Sequence, residues 1–134
     1  MTATALPCAD AQAPLISLAD FRLLIAEQHP FSLLLGIEVH HIGRGTARAV
    51  LPARDSHQRL GGIVAGPMLM GLADLAMYAA VVGATGQAHA VTASLTINFL
   101  RKSPAGAVHA EARLLKVGRL SAGEAVPVHL TLAQ

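Results

Sequence analysis

A chain of 134 residues, with 53% hydrophobic, 13% charged and 3% aromatic side chains and a net charge of +2, fits one domain and carries more apolar side chain than such a domain hides. The balance excludes nucleic-acid binding, which needs a basic stripe with stacking rings. The one basic pair is Arg101-Lys102, and Trp is absent.

The apolar excess instead predicts a buried face between subunits. The single cysteine, Cys8, has no disulfide partner in the chain, and no Cys/His spacing suits zinc, so no metal is expected and a cytoplasmic setting is the default. The opening MTATALPCADAQAP lacks a basic start followed by an apolar run, which argues against a signal peptide. Ile63 to Ala84 is apolar enough to test as a membrane span, but Asp74 at its centre would cost on the order of 3 kcal/mol there. No membrane is expected.

In chain order, residues 1–15 read as a flexible lead-in and residues 16–134 as a single domain. Ser17 is the predicted cap of a helix over Leu18–Gln28, where Leu18, Phe21, Leu24 and Ile25 recur at helical spacing. His29-Pro30 ends it, and Phe31–Leu35 reads as a short apolar turn stopped by Gly36. Strands are predicted at Ile37–Ile42 and Thr46–Pro52, joined by a hairpin at Gly43-Arg44-Gly45. Ala53–Gly62 is polar and turn-like. A long helix then runs from Pro67, which suits a first helical turn, to about Val82. After a Gly83–Gln87 turn, strands are predicted at Val91–Phe99, Val108–Val117 and Ala122–Leu132. The class is α+β, with antiparallel strands wrapped around one apolar helix.

Among eight acids, Asp74 alone sits inside an apolar helix with no Lys or Arg to neutralise it. A carboxylate is costly to bury as an ion, and such a group is a candidate base or nucleophile. The alternative is an Asp satisfied by a strand amide or by a partner subunit's Arg. Met70, Gly71, Met77 and Tyr78 share its face, and Gly71 is expected to clear space beside the carboxylate.

The second feature is the glycine-rich helix start, Gly61 to Pro67, where free N–H groups and the positive end of the dipole gather. Pro67 has no N–H, so Gly66 is the candidate oxyanion donor. The Lys-Ser/Thr ending of a phosphate loop is missing, and so is any Gly-x-Ser-x-Gly. His40 and His41 are expected to face opposite ways in a strand, so they cannot share a metal. His57, in the loop before the long helix, could approach a substrate there but reads first as a solvated loop residue.

Together these residues resemble the PaaI-like branch of the hotdog-fold thioesterases, from about Phe31 to the C-terminus. The likeness rests on three ordered blocks, RLGGIVAGPMLMGLADLAMYAA, AVTASLTINFLRKSPAG and EARLLKVGRLSAGE. The resemblance implies a hotdog fold, hydrolysis of an acyl-CoA thioester, and a homodimer or homotetramer with sites at the subunit interface. It implies no cofactor beyond the CoA of the substrate. By position, Asp74 matches the family's helix carboxylate, a general base or nucleophile. Gly66 matches the first glycine of the family's His-Gly-Gly, which here reads Ala65-Gly66-Pro67. Thr92 falls where relatives carry a Ser or Thr that positions the attacking water, and Gln58 lies near an upstream Asn, one residue out of step. Arg101, Lys102, Lys116 and Arg119 are implied contacts for CoA phosphates, with Met70 and Tyr78 beside the acyl group. A non-catalytic acyl-CoA binder and a hotdog hydratase or dehydratase stand as alternatives. The hydratase normally pairs a His with its acid, and no His is evident beside Asp74.

Overall fold

Ser17 accepts from the Asp20 N–H at 3.0 Å and so caps α1, Leu18–Gln28, over the predicted span. The computed structural model describes residues 13–115 and 127–134. Phe21 and Ile25, one turn apart on α1, are buried. The predicted apolar turn after His29 is instead a helix, α2 (Pro30–Leu35), because Pro30 fits its first turn and Gly36 ends it at φ 74°.

The sheet has four antiparallel strands, β1 (Glu38–Ile42), β2 (Thr46–Leu51), β5 (Val108–Leu114) and β6 (Val128–Ala133), in the order β1-β2-β5-β6. A two-stranded hairpin of β3 (Gln58–Arg59) and β4 (Ile63–Val64) stands apart. Alternation along β2 and β5 buries Ala47, Ala49 and Leu51 beside Val108, Ala110, Ala112 and Leu114. Against that face lies α3, Gly66–Thr85, which buries Leu72, Ala76, Ala79 and Ala80. Small side chains on both faces, Ala76, Ala79 and Ala80 on the helix and Ala47, Ala49, Ala110 and Ala112 on the sheet, let the two layers approach closely. This is the expected hotdog arrangement. Among the described residues α3 alone is long and apolar enough to cross a membrane, yet it is the core helix of the fold.

Four further expectations need correction. First, α3 passes through Gly83 to Thr85 and ends on Gly86 at φ 71°. Gly83 does not stop the helix; it permits a close crossing, since a Cβ there would lie 2.2 Å from the Gly43 carbonyl oxygen. Second, Gly71 clears no space for a carboxylate. A Cβ there would meet Leu35 Cδ1 at 2.7 Å, so α2 fills the gap. Third, His40 and His41 do not alternate across β1. A bulge between Val39 and His41 leaves both imidazoles exposed and restores Ile42 to the core.

The fourth concerns Val91–Phe99, which forms no strand here. From Val91 to Lys102 no backbone hydrogen bond is made among the described residues, and Val91 is 89% exposed. The alternation is real, since Leu95 and Ile97 are half-buried between exposed neighbours. A strand also needs an edge to pair with, and one copy of the chain supplies none to this segment. The predicted ends Lys116–Val117 and Ala122–Pro127 differ in status: residues 116–126 lie outside the described residues, and β6 begins at Val128.

Candidate active site

The start of α3 is fixed from two sides. Asp55–His57 form a single 3-10 turn, and the His57 carbonyl accepts from the Ala65 N–H at 2.8 Å. The neighbouring Val64 N–H donates to Ser103 at 2.8 Å. His57 itself is buried, contrary to its reading as a solvated loop residue, and its Nδ1–H donates to the Pro52 carbonyl at 3.0 Å. A carbonyl only accepts, so this contact places the proton on Nδ1. These bonds fix Ala65, the residue before the helix, at φ −67° and ψ 139°.

Next in line, the Gly66 N–H meets no acceptor among the described residues. It is one of the donors every helix leaves free at its start, and the helix dipole adds positive potential there. A cavity of about 400 Å³ opens at this point. Gly66, Ile63, Leu69 and Phe99 give it an apolar wall, and Arg59, Arg101 and Lys102 add three cations. The Phe99 ring sits close enough that a Cβ on Gly66 would touch its Cζ at 3.5 Å. One place therefore offers a free N–H, an apolar seat and positive charge for an anionic group.

Asp74 lies further along the same helix. Its carboxylate is exposed, on the side of α3 away from the sheet, so the expected burial does not occur within one chain. The Thr92 hydroxyl donates to Asp74 Oδ1. Two predicted site residues thus meet although 18 positions separate them. Met70, one turn earlier, is exposed as well. Tyr78, one turn later, is half-buried and donates to the Ala88 carbonyl at 2.6 Å. Burial raises its phenol above the usual value, so the group stays protonated and remains a donor.

The other candidates divide. Arg101 and Lys102 join Gly66 in the cavity wall. Gln58 lies on β3 opposite Val64, exposed and outside that wall. Lys116 and Arg119 fall outside the described residues. Two residues of the site were missed in the sequence. Arg59 reaches the cavity because β3 and β4 turn back over Gly61 and Gly62, at φ 95° and 68°. The Gly-Gly pair was the available signal for that reversal. Phe99 was read only as part of a strand face.

Residues 61–123 match the family model of the Thioesterase superfamily. Among solved structures, the chain is similar to a mutant of the phenylacetic acid degradation protein PaaI from Thermus thermophilus. The two are 29% identical, with a TM-score of 0.60, over 77% of this chain and 95% of that one. A phenylacetic acid degradation-related protein from Ralstonia eutropha JMP134 is 28% identical, with a TM-score of 0.65, over 85% of this chain and 87% of that one. A conserved protein from Pseudomonas aeruginosa is 29% identical, with a TM-score of 0.65, over 78% and 81%. With the antiparallel sheet laid around α3, these likenesses show a hotdog fold and a chain similar to the PaaI-like thioesterases.

Proposed function

We propose that the chain hydrolyses acyl-CoA thioesters to a free acid and CoA, as a cytoplasmic homodimer or homotetramer. The observation that carries this reading is the cavity at the start of α3, where the Gly66 N–H, the Phe99 ring and three cations converge. A thioester carbonyl held by that N–H gains most as its oxygen becomes an oxyanion. Arg59, Arg101 and Lys102 suit the phosphates of CoA, which an uncharged thiol lacks.

Asp74 cannot serve the Gly66 of its own chain. Eight residues separate them on one helix, about 12 Å of rise, whereas both must approach the same carbonyl to about 3 Å. A second copy therefore brings its Asp74 to this chain's Gly66. Such pairing also covers exposed apolar side chains at Val91, Phe99 and Leu100 and gives the strand-like Val91–Phe99 segment an edge to meet.

Two routes follow from that placement. In one, Asp74 takes a proton from water, and the water oxygen adds to the carbonyl carbon. The tetrahedral oxyanion rests on the Gly66 N–H until the C–S bond breaks and the CoA sulfur takes the proton back. In the other, Asp74 adds directly to the carbonyl and expels CoA thiolate, and water then hydrolyses the mixed anhydride. Thr92 occupies Oδ1 in either case and leaves Oδ2 for the reaction. Gln58 and Thr92 are the residues proposed to orient water, and Met70 borders the acyl side. Ala65-Gly66-Pro67 keeps the proposed oxyanion donor of the His-Gly-Gly pattern and drops its imidazole and the N–H of its second glycine.

Thiol release from short, medium, long and aryl acyl-CoAs tests the reading. Turnover of at least one member is the expected result, and no turnover across the panel would sink it. Arg59→Ala combined with Arg101→Ala should raise KM for the best acyl-CoA about tenfold. The same acyl group on an uncharged short thiol should show no change in KM, because the two cations are assigned to phosphate. An equal rise for both substrates would remove the cations from CoA recognition.

A further inference from the structure

Helix α3 grips the segment that follows it at two points. Thr92 donates to Asp74, and one helical turn further on Tyr78 Oη donates to the Ala88 carbonyl at 2.6 Å. Tyr78 is itself held. His29 Nε2 lies 3.2 Å from Oη, and since the phenolic proton goes to Ala88, the imidazole is the donor in that contact. The His29 and Tyr78 rings lie 5.0 Å apart at 50°, and Phe21 packs on Tyr78 with centroids 5.8 Å apart. Three places in the chain therefore meet at one hydroxyl: the junction of α1 and α2, the body of α3, and the loop after α3.

That loop has little else to hold it. Ala90 N–H donates to Gln87, and the next backbone bond among the described residues is the one Val64 makes to Ser103. Between those points the Thr92 hydroxyl is the one hydrogen bond tying the segment to α3 among the described residues. Where Thr92 sits depends on where Ala88, four residues earlier, is pinned.

We propose that Tyr78 is a positioning residue of the thioesterase site: by fixing the Ala88 carbonyl it holds Thr92 on Oδ1 of Asp74, and so presents Oδ2 to the reactants. The proposal rests on the thioesterase reading of Asp74 and adds to it a residue outside the catalytic pair. Tyr78 needs no contact with substrate for this role. Its effect runs through Thr92.

Tyr78→Phe tests it, since the ring keeps its packing on Phe21 and His29 and only the phenolic bond is lost. In the full-length protein kcat on the best acyl-CoA should fall about tenfold with KM within about twofold of the parent. Thr92→Ala should fall at least as far, Thr92→Ser should recover most of that loss, and the Tyr78→Phe/Thr92→Ala double variant should be no slower than Thr92→Ala alone. An unchanged kcat in Tyr78→Phe would overturn the proposal, as would losses that multiply in the double variant. A second readout is independent of turnover. With threonine methyls carbon-13 labelled, the Thr92 methyl order parameter should drop in Tyr78→Phe while those of Thr46 and Thr85 hold. A Thr92 methyl that stays equally ordered overturns the proposal even if no acyl-CoA is turned over. A silent parent by itself counts against the thioesterase reading, and the methyl then decides the grip of Tyr78.

Discussion

Asp74→Asn should yield a folded protein whose thiol release from acyl-CoA falls by about 10²- to 10⁴-fold, the span that loss of a positioned base commands. The exchange keeps the shape of the side chain. Its amide oxygen still accepts from the Thr92 hydroxyl, so the local geometry survives. What disappears is the negative charge and the lone pair that takes a proton from water or attacks the carbonyl. Asp74 is exposed in the single chain, so the substitution leaves no orphaned partner in the core, and the melting temperature should stay close to the parent's. Thiol release and a thermal melt on the same preparation check both halves. Turnover that survives in Asp74→Asn would keep the enzyme and move its centre elsewhere.

The largest expected loss of stability comes from Gly83→Ala. A methyl there would lie 2.2 Å from the Gly43 carbonyl oxygen and 3.0 Å from Ile42 Cγ1. The obstacle is backbone at a hairpin corner, so no flexible side-chain end can swing away. Either α3 or the β1–β2 hairpin must shift, and forced overpacking costs about 1–3 kcal/mol or more, against about 1 kcal/mol gained in helix propensity. A net loss of about 2 kcal/mol, seen as a melting temperature lower by roughly 5–10 °C, is the expected outcome. Gly71→Ala provides the contrast. Its methyl would meet the end of Leu35 at 2.7 Å, a side chain able to turn aside, so the helix gain should offset most of the cost. A Gly83→Ala protein as stable as its parent would mean that helix and hairpin do not cross this closely.

Where local pattern and tertiary packing agree, the fold could be read from residues alone. Helix α1 matched because Ser17, the apolar spacing and His29-Pro30 each marked the same ends. The core strands β2 and β5 were found through alternation. Gly83 misled because a glycine required by contact looks, in one dimension, like a glycine that ends a helix. Val91–Phe99 misled for a different reason: alternation reports that a segment suits a sheet, and says nothing about which chain carries the neighbouring strand. The site divided in the same way. Gly66 came from the glycine-rich helix start and Thr92 from a resemblance over ordered blocks, and the structure brings Thr92 to Asp74 and Gly66 to Arg101 and Lys102. Arg59 and His57 were out of reach because their importance depends on a two-residue hairpin and a single 3-10 turn, elements too short to leave a period.

The nine residues from Gly66 to Asp74 lie on an uninterrupted helix packed against the sheet. That makes α3 a ruler graduated in whole residues. One residue added or lost between the two marks would shift the carboxylate about 1.5 Å along the axis and swing it about 100° around it, away from any neighbour it served. Side-chain motion cannot absorb such a change, and the core behind the helix cannot slide to follow. Variation is tolerable only off the graduated part, in the residue ahead of Gly66, in the β3–β4 hairpin, and in the loop after Thr85. On the proposed mechanism, a protein built on such a ruler can change what it accepts by rewriting those flanks, while the interval that sets where bond breaking occurs stays a fixed integer.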